Sequence, residues 1–399
     1  MLLLLGSSRE LGLTGPDRAF SHRLHREVVI WRARLDHALS TCSARELDSL
    51  DEDVLACLRI GAVQLLVLDI PPHAAVSSTV EVLGNRKRKA FVNAVLRKLV
   101  RVGEADDTPL HIRFSHPEEL VRRWSRVLLP ADLEALLQWN NSVPMLGAYR
   151  FDEREPEFSD APSRILQQEP SRTGRFLPGY FRFRRSELQK VLEAGVFFIQ
   201  DEAASIAARG AAGLPGRTVL EIGAAPGGKT AHLDGPSDLV VSLDSSAVRM
   251  ERWLENEQKL GWKSSIPVIA SGEQLPFRRR FDKVFIDAPC TNTGVYRRRF
   301  GARWNWDETL LSGCIDSQRA LLGSACSAVA ADGILIYSTC SLEKEENFDQ
   351  VQWFEETHPQ FLRIDFPAPS QLVTDGLLSI FPPEHAIDGL FAAAWKRAP

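Results

Sequence analysis

The chain of 399 residues is short of several things, and each shortage narrows its function. No apolar stretch approaches the length of a membrane span, which excludes a helix-spanning membrane protein. The opening run Leu2-Leu3-Leu4-Leu5 is too short for a signal-peptide core and has no basic flank before it, so a cytoplasmic location is expected. Six cysteines are few for this length and none lies in a CxxC pair, which excludes a disulfide framework and leaves free thiols, structural or catalytic. An excess of positive charge is also missing: the net charge is −4, so any nucleic-acid binding has to use local patches. There is no internal repeat and no low-complexity segment, and no metal site is expected.

What is present is ordinary globular material, 25% charged and 44% hydrophobic, in a chain long enough for two or three domains. Four basic clusters stand out. They are Arg86-Lys87-Arg88-Lys89 with Arg97, Lys98 and Arg101; Arg172 to Arg185, interleaved with Phe176, Tyr180, Phe181 and Phe183; Arg278-Arg279-Arg280; and Arg297-Arg298-Arg299 followed by Arg303, Trp304 and Trp306. One such run alone reads as a solvated surface. Four, two of them carrying aromatics, point to a strand of RNA or DNA, with basic groups on phosphates and rings on bases.

Residues from about 14 to 102 carry apolar side chains at helical spacing, through Leu24, Val28, Trp31 and Leu35, then Val54, Leu58, Ala62 and Leu65, then Phe91, Val95 and Leu99. Ser115-His116-Pro117-Glu118 reads as a helix start. Beyond 195 the texture changes to strands alternating with helices: Val219 to Ile222, Leu239 to Asp244, helical Val248 to Leu260, Pro267 to Ala270, a strand ending at Asp287, helical Leu321 to Val329, and a strand ending near Cys340. That alternation predicts a doubly wound parallel sheet of the Rossmann-like kind. The expected division is residues 1–105, all-α; 106–192, linker helices and a small α+β module; and 193–399, the α/β domain.

Two cysteines fifty positions apart follow short apolar runs: Cys290 after Phe285-Ile286-Asp287-Ala288-Pro289, and Cys340 after Ile334 to Thr339. In parallel sheets ligands sit at the carboxyl ends of strands, so both thiols are placed where chemistry is done. Cys42, Cys57, Cys314 and Cys326 lie in helix-like stretches and read as core.

The turn Gly223-Ala224-Ala225-Pro226-Gly227-Gly228-Lys229-Thr230 has two readings. It fits GxxxxGK[ST], the phosphate-cradling loop of nucleotide hydrolases. That reading leaves Cys290, Cys340 and Asp244 without a task. The other reading is a strand-turn-helix whose small residues let the backbone approach S-adenosylmethionine, with Asp244, about 20 residues on, binding the ribose hydroxyls. Asp244 also suits a helix cap after Ser245-Ser246, and Lys229 suits either cofactor or RNA phosphate or a first-turn surface.

Taken together, Ala224 to Thr230, Asp287-Ala288-Pro289-Cys290 with Thr293-Gly294, and Thr339-Cys340-Ser341 with Glu345-Glu346-Asn347 strongly resemble the RNA cytosine-5 methyltransferases. Asp17 to Phe20, Trp31-Arg32, Arg59 to Leu66, Pro71 to Val76 and Phe91 to Arg97 are similar to the NusB-like helical RNA-binding domain of the branch that acts on small-subunit (16S) ribosomal RNA. Phe198 to Ser205 and Asp388 to Phe391 resemble the entry and the end of its catalytic domain.

The resemblance implies methylation of cytosine carbon 5, with S-adenosylmethionine as methyl donor and RNA as partner; a monomer is expected, though no motif speaks to the oligomeric state. It assigns Cys340 as the nucleophile that adds to carbon 6, Asp287 as the residue that hydrogen-bonds the base, and Cys290 to release. It implies cofactor contacts from Gly223, Ala224, Ala225, Pro226, Gly227, Gly228, Lys229, Asp244, Ser271 and Asp287, and RNA contacts from Arg297, Arg298 and Trp304. Transfer RNA is the alternative substrate. The chain departs from the pattern at Gly223, where the family usually has Cys, and at Ser271, where it has an aspartate; Glu273 is the candidate substitute. Met145 to Glu153 follow the usual strand only loosely.

Overall fold

A computed structural model describes residues 12–104, 108–151, 172–193 and 197–399; the Leu2–Leu5 run and residues 152 and 153 lie outside them. Two compact units appear, one of residues 1–142 with 299–305, the other of residues 143–298 with 306–399. Among the described residues no helix is long and apolar enough to cross a membrane.

The first unit is helical, as its 3.6-residue periodicity dictates: Gly15–Ile30, Arg32–Cys42, Glu52–Leu66, Pro72–Glu81, Arg86–Val102, Leu110–Arg113, Glu118–Trp124 and Pro130–Asn141. The helix Arg86–Val102 shows how the sequence sets it. Asn85 caps its start, accepting from Lys87 N at 2.8 Å, and Val92, Val95, Leu96 and Leu99 turn inward four residues or fewer apart. They join Leu35, Leu39, Leu58 and Val63 in one core, where each fully buried aliphatic contributes roughly 1.5–3 kcal/mol. The helix start read at Ser115-His116-Pro117-Glu118 is found, with Pro117 preceding the helix Glu118–Trp124; Ser115 has a φ of 53° and its hydroxyl accepts from Ala33 N at 3.0 Å.

The second unit carries two sheets. β1 (Leu146–Arg150), β2 (Tyr180–Phe183) and β3 (Phe197–Ile199) form a small antiparallel sheet in the order β2-β1-β3. The large sheet holds β4 (Thr218–Ile222), β5 (Leu239–Asp244), β6 (Ser265–Ile269), β7 (Phe281–Asp287), β8 (Val329–Thr339), β9 (Phe361–Ile364), β10 (Val373–Thr374), β11 (Leu377–Ile380) and β12 (Leu390–Arg397). Its order is β10-β11-β12-β8-β7-β4-β5-β6, with β9 also on β12.

Strands β4 to β8 are parallel, as the alternation predicts, and β12 joins β8 antiparallel, so the whole sheet is mixed. The helix expected over Leu321 to Val329 runs from Glu308 to Ala328, packs on β7 and β8, and hands directly into β8 at Val329. One face of the sheet buries Leu220, Val284, Ile286, Leu322, Leu335 and Tyr337; the other buries Val219, Val240, Phe285, Ile334 and Ile336 against the helix Glu202–Gly213. Strand order reverses between β4 and β7, and the crevice outside the carboxyl ends of those strands is where such a sheet takes its ligand.

Candidate active site

At that crevice β4 ends at Ile222 and the chain enters the glycine turn. Gly223 has φ 82°, and a Cβ there would stand 2.5 Å from the carbonyl oxygen of Asp287. The place where the family usually has Cys is thus filled by the one residue type that takes this backbone and this close approach without strain. Gly223 N and Ala224 N donate to Leu243 O at 2.9 and 3.1 Å, tying the turn to β5. Gly227, at φ 100°, leaves room for the ring of Trp262.

Beneath the turn, Thr230 is fully buried: its hydroxyl donates to Glu221 Oε2 at 2.6 Å and accepts from Trp253 Nε1 at 3.0 Å. Burial pushes the Glu221 carboxyl up to about 7, against the hydrogen bond from Thr230. Lys229 pairs with Asp287. The phosphate-loop reading fails on these contacts. Its hydroxyl is turned into the core, its lysine is committed to an aspartate, and its helix is the single turn Thr230–Leu233.

Asp244, at the end of β5, is buried with both oxygens in use. One accepts from Ala225 N at 3.3 Å; the other accepts from Ser246 N and Arg249 Nη2, each at 2.8 Å. The carboxylate therefore braces the glycine turn and the start of the helix Ala247–Leu260 together. Ser271 is exposed just beyond β6, and its hydroxyl accepts from Glu273 N at 3.2 Å, a local turn contact. Asp287, ending β7, also accepts from Ser338 Oγ at 3.4 Å.

The two thiols expected from the sequence come together. Cys290 follows β7, Cys340 follows β8, and these strands are adjacent and parallel, so their ends arrive side by side. The sulfurs are 3.3 Å apart, both half-buried and not joined by a disulfide. Cys340 Sγ donates to Asn292 Oδ1 at 3.4 Å, and Asn292 Nδ2 donates to Cys290 O at 2.7 Å. The hydrogen bond with Cys340, then burial, then the charges of Cys340 and Glu346 push the Cys290 thiol well above its ordinary range. Of the other cysteines, Cys42, Cys57 and Cys314 are buried and Cys326 is half-buried.

Three arginines read as RNA contacts or neighbours of them are internal. Asp388 accepts from Arg297 Nε and from Arg298 Nε, each at 2.5 Å, and Arg298 also reaches Asp201 at 2.6 Å and Met145 O at 3.0 Å. Arg303 is fully buried on Asn140 O at 2.8 Å and Asn141 Oδ1 at 2.6 Å, and Trp304 donates to Val29 O at 2.7 Å. Arg172, from the second cluster, pairs with Glu187 at 2.7 Å. Arg297, Arg298 and Trp304, expected at RNA, are half-buried and each donates inward, to carboxylates or carbonyls that burial would otherwise leave unpaired. Sequence reading gives Asn292, Gln318 and Glu346 no role. Glu346 sits in the quoted Glu345-Glu346-Asn347 run, and an acid six residues past a strand-end cysteine is the signal that points to it.

A doubly wound sheet with a glycine turn at its switch point and a braced aspartate on the next strand, with a thiol pair at neighbouring strand ends, defines the class as a methyltransferase. Residues 213–396 match the model of the 16S rRNA methyltransferase RsmB/F family, and residues 4–101 match that of the NusB family. The ribosomal RNA small subunit methyltransferase B of Sodalis glossinidius is 30% identical over 377 residues, covering 88% of this chain and 84% of that protein. Its counterpart in Escherichia fergusonii is 29% identical, covering 85% and 82%.

Two solved structures share the fold. PH0851 has a TM-score of 0.79 at 21% identity, covering 98% of this chain and 93% of that one. NSun6 from Pyrococcus horikoshii, solved with SFG, has a TM-score of 0.58 at 17% identity, covering 71% and 98%. The chain belongs to the RsmB/F family of 16S rRNA methyltransferases. Its methyl donor is S-adenosylmethionine, and the residues fit that group: small side chains line the turn from Gly223 to Gly228, and a buried carboxylate, Asp244, stands at the end of the neighbouring strand.

Proposed function

We propose that the protein methylates carbon 5 of a cytosine in small-subunit ribosomal RNA through a covalent bond between Cys340 and the base. The observation that carries the reading is the thiol pair, 3.3 Å apart at the ends of adjacent strands and next to the glycine turn. Carbon 5 of cytosine is a weak nucleophile until something adds to carbon 6. In this reading the Cys340 thiolate makes that bond, and the electron pair of the carbon 5–carbon 6 double bond becomes available at carbon 5. S-adenosylmethionine, when bound, supplies the electrophilic methyl group. Asp287 faces the N3 and amine edge of the ring and accepts from the amine, and from N3 once it is protonated, while Lys229, paired with it, provides positive charge as negative charge builds there.

Release needs a base for the carbon-5 proton. The Cys290 thiol, pushed up by its hydrogen bond with Cys340, by burial and by the Cys340 and Glu346 charges, is relieved of both Cys340 contributions once that sulfur is bonded to carbon and uncharged. Its proton then passes to solvent, and the Cys290 thiolate takes the proton from carbon 5. The pair left behind re-forms the ring double bond, and Cys340 departs as thiolate. Residues 223–229 and Asp244 hold the methyl donor, with Ser271 or Glu273 at its adenine end. Residues 1–105 and 106–192 hold the RNA and 193–399 carry the chemistry, in a monomer acting in the cytoplasm. A base that must reach a thiol in a crevice leaves its stack, so loop or single-stranded RNA is the expected form.

Bisulfite sequencing of ribosomal and transfer RNA from cells with and without the protein tests the product: one protected ribosomal cytosine is expected to vanish, and loss confined to transfer RNA overturns the substrate. Cys340→Ala is expected to lower methylation on the order of 10⁴-fold or more with methyl-donor binding intact by calorimetry. Cys290→Ala is expected to accumulate a denaturation-resistant protein–RNA adduct on gels. Absence of that adduct removes Cys290 from release.

A further inference from the structure

One buried acidic side chain is bonded to both thiol-bearing loops, and the methyl-transfer reading gives it no task. Glu346 is fully buried. Its carboxylate accepts from Thr291 N at 3.0 Å and from Gln318 Nε2 at 3.0 Å. It also accepts from the hydroxyls of Thr291 and Ser341. Thr291 is the residue after Cys290, and Ser341 is the residue after Cys340. One carboxylate thus grips the two thiol loops at equivalent places.

The surroundings stiffen that grip. Tyr337 OH donates to Glu346 O at 2.7 Å, Gln318 Nε2 donates to Pro289 O at 2.9 Å, and the Thr293 and Ser341 hydroxyls meet at 3.1 Å. Among the described residues no lysine or arginine pairs with Glu346. A carboxylate buried away from water and cations is costly unless its oxygens are filled, and here neutral donors from both loops fill them. Parting the loops unsatisfies the charge, so the two are held at a fixed separation.

We propose that Glu346 is the positioning residue that sets the spacing of Cys290 and Cys340. The spacing itself stands apart from the reaction; its consequence for release rests on the reading given above. The charge acts in the same sense as the geometry, since after the Cys340 hydrogen bond, burial and the Cys340 charge, Glu346 adds to what keeps Cys290 a thiol.

The test uses dibromobimane, which fluoresces only when both ends have reacted and joins only adjacent thiols. The full-length protein is expected to be bridged between Cys290 and Cys340, located by peptide mass spectrometry. In Glu346→Gln the side chain keeps its size but loses its charge, and its amide nitrogen meets the two hydroxyls as a donor, replacing two short charge-assisted bonds by longer, weaker ones. Bridging is expected to slow by about tenfold or more, the pH midpoint of bridging to move down, and kcat to fall with KM for the methyl donor unchanged.

Bridging at the wild-type rate with an unmoved midpoint overturns the proposal. If Glu346→Gln gives no cooperative melt, Thr291→Val and Ser341→Ala decide, each removing one hydroxyl. Both are expected to slow bridging, and either one at the wild-type rate overturns the proposal. Slow bridging in a protein whose wild type forms no 5-methylcytosine leaves Glu346 as positioner and sinks the cytosine reading instead.

Discussion

Two arginine-rich stretches of similar composition meet opposite fates. Along the helix Arg86–Val102, Arg86, Lys87, Arg97 and Arg101 are exposed, and their charge faces solvent. Along Arg297 to Arg303 three guanidiniums turn inward, Arg297 and Arg298 onto Asp388 and Asp201 and Arg303 onto carbonyls and an amide, while Arg299 is exposed. Burial works against the Arg298 charge, but Asp201 and Asp388 outweigh it and push its pKa up. The lesson is that a run of arginines is read by its acceptors. A stretch whose acceptors are distant in sequence becomes a strut, because five fixed donors can satisfy several buried oxygens at once. In the helix Arg86–Val102, Arg88 pairs with Asp51 and Asp53 and Lys98 donates to Thr41 O, while Arg86, Lys87, Arg97 and Arg101 stay exposed and available to phosphate.

The contrast between the stretches breaks first at Arg298. Arg298→Ala leaves Asp201 and the buried Asp388 short of a partner and is expected to cost about 3–5 kcal/mol, read as a lower midpoint in urea unfolding. A midpoint within error of the wild type returns Arg298 to the surface class. Arg303→Ala comes next. It strips Asn140 O and Asn141 Oδ1 of their donor in the helical unit, an expected loss of about 1–3 kcal/mol on the same measurement. Arg303→Lys is expected to recover only part of this, since one ammonium cannot reproduce the forked geometry.

Much of the candidate site is legible in the sequence because its signals are local. A β-run ending in glycines and a β-run ending in cysteine each announce a strand end, and parallel strands bring their ends to one edge, so Cys290 and Cys340 meet as expected. What is not legible depends on distant partners. Asp388 lies ninety residues beyond Arg298 and Ser115 lies far before Arg303, and no short window contains both members. The helix Glu308–Ala328 reads in the sequence as beginning at Leu321 because Gln318, a polar residue, occupies a core position and breaks the apolar stripe that Leu311 and Cys314 begin. Its buried amide binds Glu346 and Pro289 O, so the residue that hides the helix is one that supports the thiol loops. The antiparallel strands β10 to β12 escape a sequence reading for another reason. β12, Leu390–Arg397, is buried along both faces and carries no polar alternation to mark it.

The exposed stretch gives the smallest effect on stability and the sharpest contrast. Arg97 and Arg101 lie four residues apart, on one face of their helix, and border a cavity of 930 Å³ shared with His73, Ser77 and Glu81 of the helix Pro72–Glu81. Arg97 Nε donates to Asn93 Oδ1 at 3.0 Å, a single bond within its own helix that leaves its outer nitrogens for a phosphate. Replacing both by glutamine is expected to shift the unfolding midpoint by no more than about 0.5 kcal/mol. RNA affinity is expected to fall, and the slope of log K against log salt to flatten by roughly 0.7–0.9 for each phosphate that is no longer neutralised. The salt slope is what separates the two stretches. An internal arginine such as Arg303 changes affinity only by unfolding its unit and leaves the slope of the folded fraction alone, whereas an arginine on a phosphate changes the slope without moving the melt. An unchanged slope in the double variant, with an unchanged melt, assigns RNA binding in this unit to a different face.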